Sequence, residues 1–313
     1  MGGNKSRAKK ATPPVQALGA YYFQKNSLPI TVKRVRTDKS GKAAHPNDFT
    51  ETPHFHDFSE LAIVLEGQGK HHLEGDAFPI SPGDVFLLQG SQVHWFSERK
   101  ELTLLNVMYD PKQLPLPFDA LRKIPGYSAV FLLEPHFRRS HKFSSRLHLD
   151  RTAIANVERI TETMMEEEAK AKVGFEALLL SGLLELTTYV SRQYAQTERV
   201  EAQALLKVSK VIAAMEGDYA RQWTVEDFTE ISHLSRSHLF RLFKQATGES
   251  LIDYLIHIRL QRAQMLLRTT DQCITEIAYT CGFSDGNYFA RQFRKSINLT
   301  PSEYRNQYTH RIA

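Results

Sequence analysis

The C-terminal third of the chain states one pattern twice. The stretch TVEDFTEISHLSRSHLFRLFKQATGESLIDYL, residues 224 to 255, can be laid over CITEIAYTCGFSDGNYFARQFRKSINLTPSEYR, residues 273 to 305. Val225, Phe228 and Leu234 match Ile274, Ile277 and Phe283. After a one-residue insertion in the turn, Leu239, Phe243, Gly248 and Tyr254 match Phe289, Phe293, Asn298 and Tyr304. A duplicated supersecondary unit constrains the fold more than any composition figure does. Each copy reads as a short helix, a tight turn and a longer helix with one apolar face. Each ends on a residue that tolerates the left-handed conformation, Gly248 or Asn298. That is helix-turn-helix anatomy. Ser235, and Ser284 or Asp285, are suitable N-caps for the second helices. With proline absent from Leu205 until Pro301, residues 205–308 are expected to form an all-α domain.

The apolar stripes, Leu239, Leu242 and Phe243 in one copy and Phe289 with Phe293 in the other, face a core. Left outside are Arg236, Ser237, His238, Arg241 and Lys244 in the first copy. The second leaves Asp285, Asn287, Tyr288, Arg291, Gln292, Arg294 and Lys295. A helix of this kind suits the DNA major groove. There Arg pairs with guanine, Asn or Gln pairs with adenine, and the remaining cations suit phosphates. The plainer reading of one such face is solvated charge, but two copies sharing cap, core and basic edge favour double-stranded DNA. The intervening helix, LIDYLIHIRLQRAQMLLRTTD, would hold the modules so that they enter major-groove segments about 34 Å apart.

These motifs carry a resemblance. The run IRLQRAQMLL, then ITEIAYTCGFSDGNYFARQFRK, then the ending TPSEYR is similar to the DNA-binding domain of the AraC/XylS family of bacterial transcription regulators. The resemblance implies a transcription regulator, more often an activator, that contacts RNA polymerase. Two positions depart from the family pattern: Thr229 stands where alanine is usual, as Ala278 is in the second unit, and His233 occupies the turn position of Gly282.

At 313 residues the chain exceeds what one core usually serves, so a second domain is expected. From Tyr21 to about Met108 short strands alternate with turn signals: Gly67-Gln68-Gly69, Glu74-Gly75-Asp76 and Ser81-Pro82-Gly83-Asp84. This spacing reads as an antiparallel barrel or sandwich, assigned to residues 21–149. Residues 150–194 read as two helices, with Ile154, Val157, Ile160 and Met164 on one stripe and Leu179, Leu183 and Leu186 on the other. Their combined apolar surface suggests a homodimer, against the alternative that both pack on the barrel. Residues 195–204 read as a polar linker, and residues 1–20 as a flexible basic arm.

The arm lacks the apolar stretch of a secretory signal, and no run is long enough to span a bilayer. Cys273 and Cys281 cannot make a disulfide framework and read as small buried residues in a reducing, cytoplasmic compartment. The net charge of +5 permits an anionic partner without requiring one.

One feature of the N-terminal half calls for chemistry. In HFHDFSEL, strand parity puts His54, His56, Phe58 and Glu60 on one face, and His94 is a candidate fourth polar member. The spacing resembles the cupin signature, which in catalytic cupins binds a divalent metal. It also resembles the sensor barrel of AraC-family regulators, especially the rhamnose-responsive members. Three readings stand. The residues could bind a small effector such as a sugar, hold a metal, or simply satisfy one another in the core. The attached DNA-binding half favours sensing: no enzyme, no required cofactor, and a small-molecule effector at His54, His56, Glu60 and His94. The rival is a metal-dependent cupin enzyme fused to a DNA-binding module.

Overall fold

The computed structural model describes residues 13–37, 51–73, 75–90, 92–133 and 147–309. The chain divides into two compact units. One comprises residues 1–116 with 138–193, the other 117–137 with 194–313. Among the described residues, no helix is long and apolar enough to cross a membrane.

The first unit is built on one eight-stranded sheet: β1 (Val15–Ala17), β2 (Ile30–Arg36), β3 (His54–His56), β4 (Ser59–Leu73), β5 (Asp76–Ile80), β6 (Asp84–Gln89), β7 (His94–Tyr109) and β8 (Leu147–His148). The strand order is β1-β3-β7-β4-β6-β8, with β2 beside β7 and β5 beside β4. Along β7, His94 and Met108 would lie about 45 Å apart if the strand ran straight. Yet Glu60 pairs in register with Met108, and ligand atoms of Glu60 and His94 lie within 4.8 Å. The sheet therefore rolls up on itself as a barrel. The bend occurs where β4 and β7 slip register, between Val64 and Lys70. Gly67 sits there at φ +75°, where a Cβ would meet the Glu101 carbonyl oxygen at 2.3 Å. Gly67-Gln68-Gly69 is thus a bulged bend inside β4 and not a turn between strands, because the ladder to β7 resumes on both sides.

The Ser81–Asp84 turn closes as expected: the Asp84 amide donates to the Ser81 carbonyl, and the Asp84 carboxylate accepts from the Ser81 amide at 2.9 Å. Glu74 lies outside the described residues, as does Lys5 to Lys10 of the expected arm. The arm is shorter than expected, since Val15–Ala17 pairs in parallel with β3 and buries Ala17.

The barrel interior is apolar along Ala62, Val64, Leu73, Phe86, Leu88, Phe96, Leu102 and Leu104. Two helices complete the unit, α1 (Arg151–Lys170) and α2 (Phe175–Ala195). Asp150 caps α1 by accepting from the Ala153 amide. Buried Val157, Ile160 and Met164 answer the expected stripe on α1, and Leu179, Leu183 and Leu186 that on α2; Ile154 is half-buried. Glu168 of α1 accepts from the Thr31 hydroxyl at 2.6 Å, tying α1 to β2.

The second unit contains α3 (Val200–Gly217), α4 (Val225–Ser232), α5 (Arg236–Thr247), α6 (Leu251–Thr269), α7 (Ile274–Thr280), α8 (Gly286–Ile297) and α9 (Pro301–Thr309). The expected linker is mostly absent. Residues 200–204 already belong to α3, because Ala202 and Leu205 are buried on its inner face. Residues 117–133 also belong to this unit. They form helical turns Phe118–Leu121 and Pro125–Tyr127 and a π-helical turn Ser128–Leu133, packed on α3. The barrel domain drawn as 21–149 is therefore interrupted, since the apolar run YSAVFLL is buried away from the sheet.

Candidate functional site

The repeat folds as two helix-turn-helix modules, α4–α5 and α7–α8. Both short helices begin with capping boxes, Thr224 with Asp227 and Cys273 with Glu276. Cys273 is consequently exposed, contrary to the sequence expectation, while Cys281 is buried and its thiol is pushed up to about 11 by desolvation. In the tight turns His233 and Gly282 both take positive φ, 49° and 84°. A Cβ at Gly282 would meet the Ala220 backbone at 2.7 Å, whereas the exposed His233 has room for its ring. The His233 departure therefore preserves the turn. So does Thr229, whose hydroxyl donates to the Glu226 carbonyl at 2.9 Å. Gly248 and Asn298 end the second helices in the left-handed conformation.

The apolar stripes are buried as expected: Leu239, Leu242 and Phe243 on α5, Phe289 and Phe293 on α8. On the outer face of α5, Arg236, Ser237, His238, Arg241 and Lys244 are all exposed. On α8, Asn287, Arg291, Arg294 and Lys295 are exposed. Tyr288 and Gln292 are half-buried instead of facing fully outward. Gln292 occupies the repeat position of Leu242, which is buried in the first copy, and Tyr288 packs beside the core containing Phe283 and Phe289. Ser235 holds the N-cap position of α5 without a side-chain capping bond. Asp285 caps α8, its carboxylate accepting from the amides of Asn287 and Tyr288 at 2.9 and 3.2 Å. Gln245 is also exposed, fifty residues before Lys295 and at the same repeat position.

The barrel site gathers residues from three strands. His54 (β3), His56 (β3), Glu60 (β4) and His94 (β7) are all buried. The His54 and His94 rings lie 4.2 Å apart, and His56 lies 5.3 Å from His94. His54 Nδ1 contacts the Thr52 carbonyl at 2.8 Å, and His56 Nδ1 the Phe58 carbonyl at 2.7 Å. His56 Nε2 is 3.5 Å from Glu60 Oε2. Burial holds the His56 imidazole at about 4, well below its ordinary range. The Phe58 carbonyl pulls upward, the nearby His54 downward and Asp57 upward. His56 is therefore neutral at pH 7 and offers its ring for hydrogen bonding or coordination.

Two further polar residues share this interior. His71 is buried, stacks on Phe96 at 4.5 Å and lies edge-on to His94 at 5.8 Å. It sits eleven residues from Glu60 in the same strand, so a strict period of two would put them on opposite faces. The register slips at the β4 bend reverse that parity. Asn106 pairs with interior-facing Ala62, and its buried Oδ1 has no hydrogen-bond partner among the described residues.

His54, Glu60 and His94 each offer a ligand atom, all within 4.8 Å of one another. Two imidazoles and a carboxylate are a donor set that divalent ions accept. The residues therefore fit such an ion, with His54, Glu60 and His94 as its holders.

A reaction is not what the helical unit is arranged for. Its second helices present cations and amides twice over, on one connector, to a long anionic partner, which is how a transcription regulator meets DNA. Comparison with known proteins agrees. Residues 228–307 match the family model of a helix-turn-helix domain, and residues 38–185 that of an AraC-like ligand binding domain. The HTH-type transcriptional activator RhaR of Klebsiella pneumoniae subsp. pneumoniae is 31% identical over 263 residues, covering 83% of this chain and 89% of its own. The activator of the same name from Enterobacter sp. strain 638 is 31% identical over 261 residues, covering 83% and 88%. On these relatives the chain belongs to the AraC family of helix-turn-helix transcription regulators, and it is a DNA-binding regulator with an effector domain, not an enzyme. A crystal structure of an AraC-type regulator from Chromobacterium violaceum is also similar, 36% identical across 32% of this chain and 90% of its own, with a TM-score of 0.31.

Proposed function

We propose that the barrel binds a small polyhydroxylated effector, a deoxyhexose such as L-rhamnose, and that occupancy changes how the two modules engage promoter DNA. The observation that carries this reading is the convergence of buried His54, Glu60 and His94, whose ligand atoms lie within 4.8 Å of one another, with buried His56 beside Glu60. Imidazoles and a carboxylate donate to and accept from sugar hydroxyls, and the Asn106 oxygen, which has no partner among the described residues, would accept one more. The resemblance to rhamnose-responsive regulators, and the activators named RhaR among the relatives, support the choice of sugar.

In the same reading Arg236, Ser237, His238 and Arg241 on α5, with Asn287 and Arg291 on α8, read bases. Lys244, Arg294 and Lys295 hold phosphates, Asp285 positions the start of α8, and Tyr288 and Gln292 support the face from their half-buried positions. The protein works in the cytoplasm as a homodimer through α1 and α2, and activates by contact with RNA polymerase. Exposed Val173 and Leu178 at the α1–α2 end supply apolar surface for the dimer. Functional boundaries follow the sequence divisions 1–20, 21–149, 150–194, 195–204 and 205–308, adjusted for the early start of α3 and for residues 117–133.

Thermal unfolding against a panel of sugars tests the effector. A ligand at a hundredfold its dissociation constant stabilises by about 2.7 kcal/mol, a shift of several degrees. L-rhamnose is expected to raise the melting temperature saturably, and a panel with no such sugar would overturn the reading. The grouping of His54, Glu60 and His94 favours a second reading, in which a divalent ion organises the pocket without catalysis. Stoichiometric metal in elemental analysis of freshly purified protein would select it.

A further inference from the structure

The chain leaves the barrel unit after residue 116, residues 117–133 belong to the helical unit, and the strand Leu147–His148 again belongs to the barrel unit. The described part of this excursion is strongly held. Leu121, Tyr127, Ala129, Val130, Phe131 and Leu133 are buried, and the turns pack on α3. Four charged side chains then knit the excursion to α3 and α6. Arg122 donates to Glu216 at 3.3 Å and to Gln261 at 3.4 Å. Arg262 donates to Glu216 at 3.4 Å and to Asp119. The Glu216 side chain is only 1% exposed, so this carboxylate depends on both guanidinium groups for its charge balance.

Both ends of the excursion lead somewhere specific. Upstream, Met108 pairs in register with Glu60 of the barrel site, and Pro117 follows nine residues later. Downstream, a cleft of about 250 Å³ runs from Arg122, Leu132 and Leu133 to Ala246 and Thr247, at the C-terminal end of α5. α3 itself packs against α4, α5 and α6. A change at the Glu60 end of β7 therefore has a short covalent route to the scaffold of the first helix-turn-helix module.

We infer that residues 117–133 are a strap that couples the barrel site to the first DNA-binding module, docked when the Asp119–Arg262–Glu216–Arg122 network is closed. The inference rests on the effector reading above for the origin of the signal. The docking itself is a two-state element. Partial withdrawal would leave Glu216 buried with one cation fewer and expose the apolar run, so intermediate positions are disfavoured. An effector that prefers one β7 arrangement then shifts the docked population, and reciprocally DNA shifts effector affinity.

The test uses the full chain, with Asp119→Ala/Arg122→Ala to loosen the strap and Arg122→Lys to retain a cation. DNA affinity is measured on a promoter-length duplex with and without saturating L-rhamnose, and sugar binding by calorimetry. In the double variant the ratio of the two DNA affinities is expected to fall towards one, while sugar affinity stays within about threefold of the unaltered protein. Arg122→Lys is expected to keep most of the ratio. An unchanged ratio in the double variant overturns the strap. If calorimetry shows that L-rhamnose does not bind the unaltered protein, the effector reading fails separately. The strap is then judged without sugar: amide exchange in residues 117–133 should rise at least tenfold in the double variant, and DNA affinity should change at least threefold. Faster exchange with unaltered DNA affinity overturns it. Should the double variant melt below the assay temperature, Asp119→Ala alone, at a position 61% exposed, takes its place under the same criteria.

Discussion

His56 shows what the fold does to a single side chain. The unfolded imidazole takes a proton near its ordinary value of 6.5, whereas the buried one does so only near 4. Between these values the unfolded state binds more protons, so stability falls as pH drops through 6.5 and levels off below about 4. Lowering pH from 7 to 5 is expected to cost about 2 kcal/mol from this group, read by chemical denaturation at each pH. His56→Gln should flatten that slope. On α8 the exposed residues divide by chemistry. Asn287→Ala is expected to cost about 1–3 kcal/mol on the preferred site and to relax preference at one base pair. Lys295→Ala should weaken binding to all duplexes alike and reduce the salt slope by about one. Equilibrium binding across a panel of duplexes and salt concentrations separates the two, and identical behaviour of both variants would refute the assignment.

At the scale of elements, the bend in β4 and the turns of the two modules solve the same problem differently. β4 must double back with β7 to bring Glu60 and His94 together, and Gly67 supplies a left-handed residue pressed against the Glu101 carbonyl. Gly67→Ala adds both backbone strain and a backbone clash, so a loss of about 3 kcal/mol or more is expected in denaturant unfolding of the barrel. A loss under 1 kcal/mol would mean that the bend relaxes freely. In the helical unit the positive-φ turn position is glycine in one module and histidine in the other. Gly282 lies against the backbone of Ala220, while His233 is exposed. The modules are therefore alike in path but not in packing. Their second helices also start differently, one capped by Asp285 and one with no side-chain cap.

For the whole molecule, sensing and DNA binding belong to two units, with residues 117–133 assigned to the helical one. Glu60→Ala should abolish the response to effector, by about tenfold or more in sugar affinity, while DNA affinity without sugar stays near the unaltered value. A reporter assay paired with DNA titration reads both, and a normal response would remove Glu60 from the site. The helix-turn-helix repeat, its buried stripes and its left-handed stops at Gly248 and Asn298 were legible in the sequence, because helical period, capping and chain reversal are written in neighbouring residues. His54, His56, Glu60 and His94 could be nominated for the same reason: three lie within seven positions and the fourth follows a recognisable turn. His71 and Asn106 could not, since bulges reverse the parity of β4 and since an asparagine's missing partner is a property of its surroundings. Nor could the strap, whose apolar run would serve either unit equally well on composition alone. What the sequence by itself determined, then, were the local periods and the chemistry on each surface. Which distant segments share a face, and which unit receives residues 117–133, only tertiary structure decided, because those choices depend on register and burial between parts of the chain far apart in order.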